Sequence, residues 1–190
     1  FTIQIIYAMK QFILCLSGLL LSLSAMSQTT NATAQDDFES RRAAKVQERD
    51  ARHQSEIQYV DSLVLSRNYE FTPENFQQEP AGEMHNIYGI VYTLEMYSDN
   101  YMSIDLPYIA GAVPPYRMTI MNEMTKDIQK YTAVQDSDGW TISFSSNLYS
   151  DNTYTFTMKI YSITRECELN IASDLYPTVT YNGTFAPLNY

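Results

Sequence analysis

The chain has 190 residues and carries 22 Asp or Glu against 12 Lys or Arg, a formal charge of −10. The acidity is uneven: residues 68–190 hold 15 acidic and 5 basic side chains, whereas residues 36–67 hold 7 and 6. An acidic body repels phosphate backbones and anionic lipid heads, which argues against nucleic acid and peripheral membrane binding.

In chain order, the first feature is an apolar tract. Phe12 to Leu23 is broken only by Ser17, Gly18 and Ser22. That is about a dozen residues, where a helix crossing the hydrocarbon core needs ~20. Lys10 gives a positive flank, Ala25 and Ser27 are small residues two apart, and "TTNATAQDD" after them has no cationic stop-transfer cluster. The pattern predicts a signal peptide ending at residue 27, not a membrane span. Met9 is read as its start, with residues 1–8 upstream. Cys15 follows Ile13 and Leu14 inside the apolar core, which is not a lipobox. The mature chain is then exported, periplasmic or extracellular. N-terminal sequencing of exported protein is expected to find Gln28; a membrane-bound chain still carrying Leu20 overturns the expectation.

Residues 28–37 read as a disordered leader and residues 38–190 as one domain. A chain of that size buries about 70% of its unfolded surface. Beyond the tract the only cysteine is Cys167, so no internal disulfide is expected.

Phe38 to Arg67 contains no Gly or Pro and is rich in Ala, Arg, Glu and Gln, which favours helix. The spacing predicts one helix of about 30 residues, roughly 45 Å long. "SRRAAKVQERDARHQ" has little apolar face. Ile57, Val60 and Val64 recur at helical spacing with Leu63 beside them, so the second half docks and the first is solvated.

After Asn68 the character changes, and 14 of the 16 tyrosines lie there among Thr, Ile and Val. In "YTFTMKIYSI", Tyr154, Phe156, Met158, Ile160 and Ser162 alternate with Thr155, Thr157, Lys159, Tyr161 and Ile163, a strand with one apolar face. Strands are expected near 69–73, 87–97, 101–106, 116–121, 130–135, 139–145, 153–163, 166–172 and 178–185. "YSDN", at 97–100 and 149–152, and "DSDGW", at 136–140, supply hairpin turns. The fold class is α+β: a signal peptide, one long helix, then a curved antiparallel β-sheet or open barrel.

The Arg- and Ala-rich helix leading into "YEF", then "SIDLPYIAGA" and the terminal "VTYNGTF", resemble an exported Bacteroidota family, domain of unknown function 4251. Its marks are a Leu-Pro-Tyr motif and a C-terminal Tyr-x-Gly. The resemblance covers residues 38 to 186, with Ala110 between Ile109 and Gly111 where the family pattern has Gly one residue sooner. It implies secretion and a small helix-plus-sheet fold, and it implies no activity.

Catalytic motifs fare poorly. "SDN" lacks the Ser-x-x-Lys and Lys-Thr-Gly of serine β-lactamases. Setting Gly139 at position 6 of a calcium loop puts Val134 and Ser145 where ligands are required. His53 and His85 are the only histidines, and Glu83 with His85 does not make a zinc site. Cys167 lies between Glu166 and Glu168, which disfavours a thiolate. No catalytic residue, metal site or cofactor is therefore expected. "LPYIAGAVPPY", with three prolines, reads as a stiff loop exposing Tyr108 and Tyr116. These two and Trp140 are the candidate ligand-binding residues, since Tyr and Trp stack on sugars and line apolar clefts. The leading reading is a non-enzymatic exported protein that binds a small ligand, a glycan or an envelope protein through one face or end of its sheet. The alternative is a hydrolase using a carboxylate pair that no spacing singles out.

Overall fold

The computed structural model describes residues 36–80, 82–111, 117–149 and 152–188. The expected signal peptide, most of the expected leader and Tyr116 lie outside the described residues. By its internal contacts the chain divides into two units, Phe1–Arg52 and His53–Tyr190.

Helix α1 is assigned over residues 36–66. Asp36 and Asp37, expected in the leader, are already helical; carboxylates suit a first turn, where they face the positive end of the helix dipole. In the first unit, residues 36–52 are all exposed. Asp37 with Arg41 (3.5 Å) and Glu48 with Arg52 (2.6 Å) pair one turn apart, each worth about 0.3–0.5 kcal/mol at such exposed positions.

In the second unit the helix becomes amphipathic. Val60, Leu63 and Val64 are buried and Ile57 is half-buried, as the spacing predicts. The helix ends in a Schellman turn: Asn68 N–H reaches Leu63 O and Arg67 N–H reaches Val64 O, both at 3.2 Å. Arg67 takes the left-handed conformation there (φ 52°) without being glycine. Its guanidinium is held over the Tyr131 ring at 3.9 Å and donates to Asn100 Oδ1 at 2.8 Å. Those contacts offset the local backbone strain.

Ten strands follow: β1 Tyr69–Gln78, β2 His85–Asn86, β3 Thr93–Tyr97, β4 Tyr101–Ala110, β5 Arg117–Thr125, β6 Gln129–Gln135, β7 Gly139–Tyr149, β8 Asn152–Tyr161, β9 Glu166–Ser173 and β10 Val179–Ala186. They form one sheet in the order β5-β4-β3-β1-β10-β9-β8-β7-β6, with β2 beside β1. Every neighbouring pair is antiparallel. The two edge strands, β5 and β6, are joined by residues 126–128 alone. Four residue steps span at most ~14 Å, so the sheet must curl until its edges approach. It does not close. Nine strands in alternating direction leave both edges running the same way, and a parallel pair needs a crossover of a dozen residues or more.

Paired residues share a face, so the register carries one apolar surface around the curl. Leu94 opposes Phe71, Phe71 opposes Phe185, Leu169 opposes Tyr181 and Met158, and Phe156 opposes Phe144 and Ile171. All are buried. Tyr154, Phe156, Met158, Ile160 and Ser162 face inward together, as their alternation predicts. Phe144 and Phe156 stack at 4.8 Å, and Tyr69 meets Phe185 at 5.0 Å.

The helix covers one rim. Trp140 Nε1 (2.7 Å) and Gln135 Nε2 (3.1 Å) donate to Asp61 Oδ1. Arg165 donates from Nε (2.8 Å) and Nη2 to Glu56 Oε2. These partners sit at the end of β6, the start of β7 and the β8–β9 turn.

The Leu-Pro-Tyr segment corrects the sequence reading. Residues 106–110 are not a loop but the second half of β4, paired to β5 throughout. Tyr108 is only 2% exposed. Proline is tolerated because β3 stops opposite Asp105. Beyond it, β4 borders a gap lined by Phe76, His85, Ile90 and Met118. Tyr181 donates its hydroxyl to Pro107 O at 2.7 Å. A strand residue's N–H and C=O point the same way, so the donor that Pro107 lacks would have faced a side with no ladder partner. The hydrogen bond also joins the two motifs of the family resemblance, Leu-Pro-Tyr on β4 and Tyr-x-Gly on β10.

Cys167 is 3% exposed, and burial first, then the nearby Glu168 carboxylate, pushes its thiol well above the usual value. It is the free cysteine among the described residues. Dithiothreitol is expected to leave the melting temperature unchanged, and a thiol reagent to label Cys167 only on unfolding. Rapid labelling of native protein would show that β9 opens.

Candidate functional site

Opposite the helix, the other rim is formed by the ends of β4, β7 and β9 and the starts of β5 and β8. A recess of about 510 Å³ lies there, within the ordinary range for small-ligand pockets. Tyr108, Tyr149, Tyr154 and Tyr176 line it, with Thr119 and Asn152 among the polar neighbours. Alternation along β4 and β8 aims Tyr108 and Tyr154 inward, and Thr119 opposes Tyr108 across the β4–β5 ladder.

The four rings stand edge to face. Tyr108 meets Tyr154 at 6.0 Å and 78°, and Tyr176 at 6.4 Å and 70°. Tyr149 meets Tyr154 at 6.1 Å and 75°. These geometries suit the ring quadrupole. Tyr149 also lies beside β5, where the Glu123 carboxylate and the Asn122 backbone act on its hydroxyl in opposite senses.

Two polar groups in the recess are buried and incompletely satisfied. The Tyr108 hydroxyl has no hydrogen bond of good geometry, and Asn152 Oδ1 has no partner. The Asn152 amide nitrogen donates to Ser173 Oγ at 2.8 Å. Ser173 Oγ in turn takes the backbone N–H groups of Leu175 (3.1 Å) and Tyr176 (3.2 Å). Burial pushes the Tyr108 hydroxyl up to about 12; Tyr154 and Tyr176 add to the rise and the nearby Ser173 hydroxyl opposes it. Burial likewise raises Tyr149 and Tyr154. The hydroxyls of Tyr108, Tyr149 and Tyr154 therefore stay protonated at physiological pH. Among the described residues no lining side chain is charged, and the Glu123 carboxylate acts on Tyr149 from nearby.

Of the residues singled out from sequence, Tyr108 belongs to the recess, as a buried wall and not as an exposed loop residue. Trp140 lies at the other rim, 6% exposed, with its indole N–H given to Asp61. The structure does not bring the two together. Tyr149, Tyr154, Tyr176 and Asn152 were not singled out. Two of them belong to the second "YSDN", whose reading as a turn hid that Tyr149 ends β7 and Asn152 begins β8.

A second recess, of about 320 Å³, lies beside the "DSDG" turn and includes Ile57, Asp136, Asp138 and Glu166. Asp136 is committed to the turn. Its Oδ1 accepts Asp138 N–H (2.8 Å) and Gly139 N–H (3.0 Å), and its Oδ2 pairs with Lys159. Lys159, then the turn's own N–H groups, hold this carboxyl below the usual carboxylate range. Among the described residues no three His, Cys, Asp or Glu side chains are grouped to hold a metal, and no helix is long and apolar enough to cross a membrane.

A family model described as "Domain of unknown function (DUF4251)" matches residues 51–185. The crystal structure of a DUF4251 family protein from Bacteroides eggerthii DSM 20697 superimposes with a TM-score of 0.53 at 8% identity, covering 70% of this chain and 88% of that one. At that identity the likeness speaks for the fold alone. No curated protein matches the chain.

Proposed function

This chain belongs to the DUF4251 family, a family without an assigned activity, and we propose that it is an exported binding protein that takes a small molecule into the tyrosine-lined end of its curled sheet. The observation that carries this reading is the recess itself: four tyrosines around two buried, incompletely bonded polar groups, at the rim the helix leaves uncovered. A folding core gains nothing from such groups, since an unmet buried polar atom costs about 1–3 kcal/mol. Both atoms lack accessible surface, so a ligand reaches them only where the recess walls give way. Export is supported by the short apolar tract with its Ala25-x-Ser27 site. The hydrolase reading needs two carboxylates facing one cleft. None of the described residues lining the recess carries one, which favours binding.

The test is a thermal-shift screen of the mature protein against glycans, lipids and peptides, run beside Ala110→Trp. Ala110 lines the recess, and an indole there fills it. A ligand of the site raises the melting temperature of the wild type by several degrees and leaves the variant unmoved. A ligand that stabilises both equally binds elsewhere and overturns the assignment.

A further inference from the structure

We propose that the outer edge of β5 pairs with the same edge of a second copy of this chain, in an antiparallel ladder whose two-fold axis passes through Ile120. The proposal goes beyond the small-molecule reading above and does not depend on it.

Backbone direction is the first observation. β5 ends the sheet path, with β4 on one side and no described strand on the other. Pro107 of β4 has no N–H, and its C=O accepts the Tyr181 hydroxyl. It therefore makes no ladder bond to Ile120, the residue opposite it. In an antiparallel ladder, a pair without mutual bonds points its N–H and C=O groups outward on both strands. The Ile120 groups thus face away from β4, and those of Met118 and Asn122 follow at a spacing of two. The Asn122 backbone agrees, since it acts on the Tyr149 hydroxyl on that side. Residues 117–120 are all exposed, Thr119 on the inner face included, so a second strand has access to the start of β5. Such an edge is a template for another strand.

Self-complementarity is the second, and it identifies the occupant. With the axis at Ile120, Met118 opposes the partner's Asn122, Thr119 opposes the partner's Met121 and Arg117 opposes the partner's Glu123. Asn122 then exchanges the Tyr149 hydroxyl for a ladder bond. Arg117 and Glu123 fall in a pair without mutual backbone bonds, where side chains come closest. Opposite charges placed so stabilise a ladder, and the symmetry makes the contact twice. Among the described residues neither side chain already has an ion pair.

Apolar surface is the third. Leu106 and Tyr108 are buried inside the curl, so Pro107 and Ile109, with their ladder partners Ile120 and Met118, take the outer face. Tyr88 and Ile90 lie there beside Pro107 and Met118. Met118, Ile120, Tyr88 and Ile90 are each more than half exposed. The axis brings the two Ile120 side chains together, with a Met118 diagonal to each. A specific dimer buries about 800 Å² per partner, and these side chains supply apolar area that a strand edge alone lacks.

The experiment is sedimentation of the mature protein from about 1 to about 100 μM, a range in which dimerisation shows as a concentration dependence. The wild type is expected to dimerise across it. Ile120→Pro removes an N–H that the β4 ladder does not use, and an edge strand tolerates that; the variant is expected to be folded and monomeric. Arg117→Glu and Glu123→Arg each set like charges opposite one another and should weaken the dimer about tenfold. The double variant restores opposite charges and is expected to associate as the wild type does. Ile120→Cys is expected to form an intermolecular disulfide on mild oxidation and Met124→Cys is not, since position 120 alone meets its own copy. Cys167 is buried and does not compete. Should Ile120→Pro fail to fold, the charge exchange carries the comparison. A wild type that stays monomeric throughout overturns the proposal. So does a dimer that folded Ile120→Pro leaves intact, or one that the double charge variant does not recover.

Discussion

Val60→Asp is expected to lose about 4 kcal/mol of stability, since an unpaired charge placed in an apolar contact is among the costliest single changes. A domain typically has only about 5–15 kcal/mol in total. Val60 is fully buried at the centre of the helix's docked face, with Leu63 and Val64 beside it. Among the described residues, Arg165 and Arg67 already have partners: Arg165 is held by Glu56, and Arg67 by Asn100 and the Tyr131 ring. Burial should raise the pKa of the introduced acid in the folded state. The folded form then binds its proton more readily than the unfolded form does. The deficit relative to Val60→Asn should therefore shrink as pH falls towards the ordinary carboxylate value and grow as pH rises. A chain beginning at Arg49 is expected to unfold within about 0.5 kcal/mol of the full-length protein, because surface changes rarely cost more and residues 36–48 are exposed. Urea denaturation of the three forms decides the matter. Equal damage from the truncation and from Val60→Asp would show that the polar half of the helix packs against something after all.

Gly183→Ala is expected to cost about 3 kcal/mol, the upper end for overpacking, and to lower the melting temperature by about 10 °C in a domain of this size. Gly183 is buried in β10, opposite Cys167 on one side and Pro73 on the other. A β-carbon there would stand 2.1 Å from Thr72 O and 2.7 Å from Pro73 Cα. These are backbone atoms of β1 at the point where its register shifts between Pro73 and Asn75, so they cannot rotate away as a side chain tip would. The requirement is for space alone, and Gly89→Ala is the control. Gly89 has φ +74° but open space around it, so it tests conformation without collision and should cost about 1 kcal/mol. If the two variants melt together, close approach of β1 and β10 is not what position 183 demands. The glycine of the Tyr-x-Gly motif is thus a spacing residue, while the tyrosine two positions before it ties β10 to Pro107.

Much of the molecule was legible without coordinates, for a reason that is local. Helical spacing of Ile57, Val60 and Val64 identified the docked half of the helix, because a face repeats every three to four residues whatever it packs against. Alternation along "YTFTMKIYSI" identified which side of β8 turns inward, because successive side chains of any strand point to opposite faces. Glu168 beside Cys167 already pointed to a thiol unsuited to nucleophilic chemistry, although burial is the larger cause of its raised pKa.

The sheet path, the gap and the recess were decided by tertiary structure. Pro107 signals a break in any local reading. It continues a strand here only because β3 ends early and leaves its N side without a partner. Trp140, read from sequence as a binding residue, sits at the other rim and gives its indole N–H to Asp61, 79 positions earlier. Tyr108, Tyr149, Tyr154 and Tyr176 meet because a nine-strand path with a three-residue link between its edges must curl. The register of every ladder then determines which strand ends share a rim. That determination is a sum over eight pairings, and no window of sequence contains it.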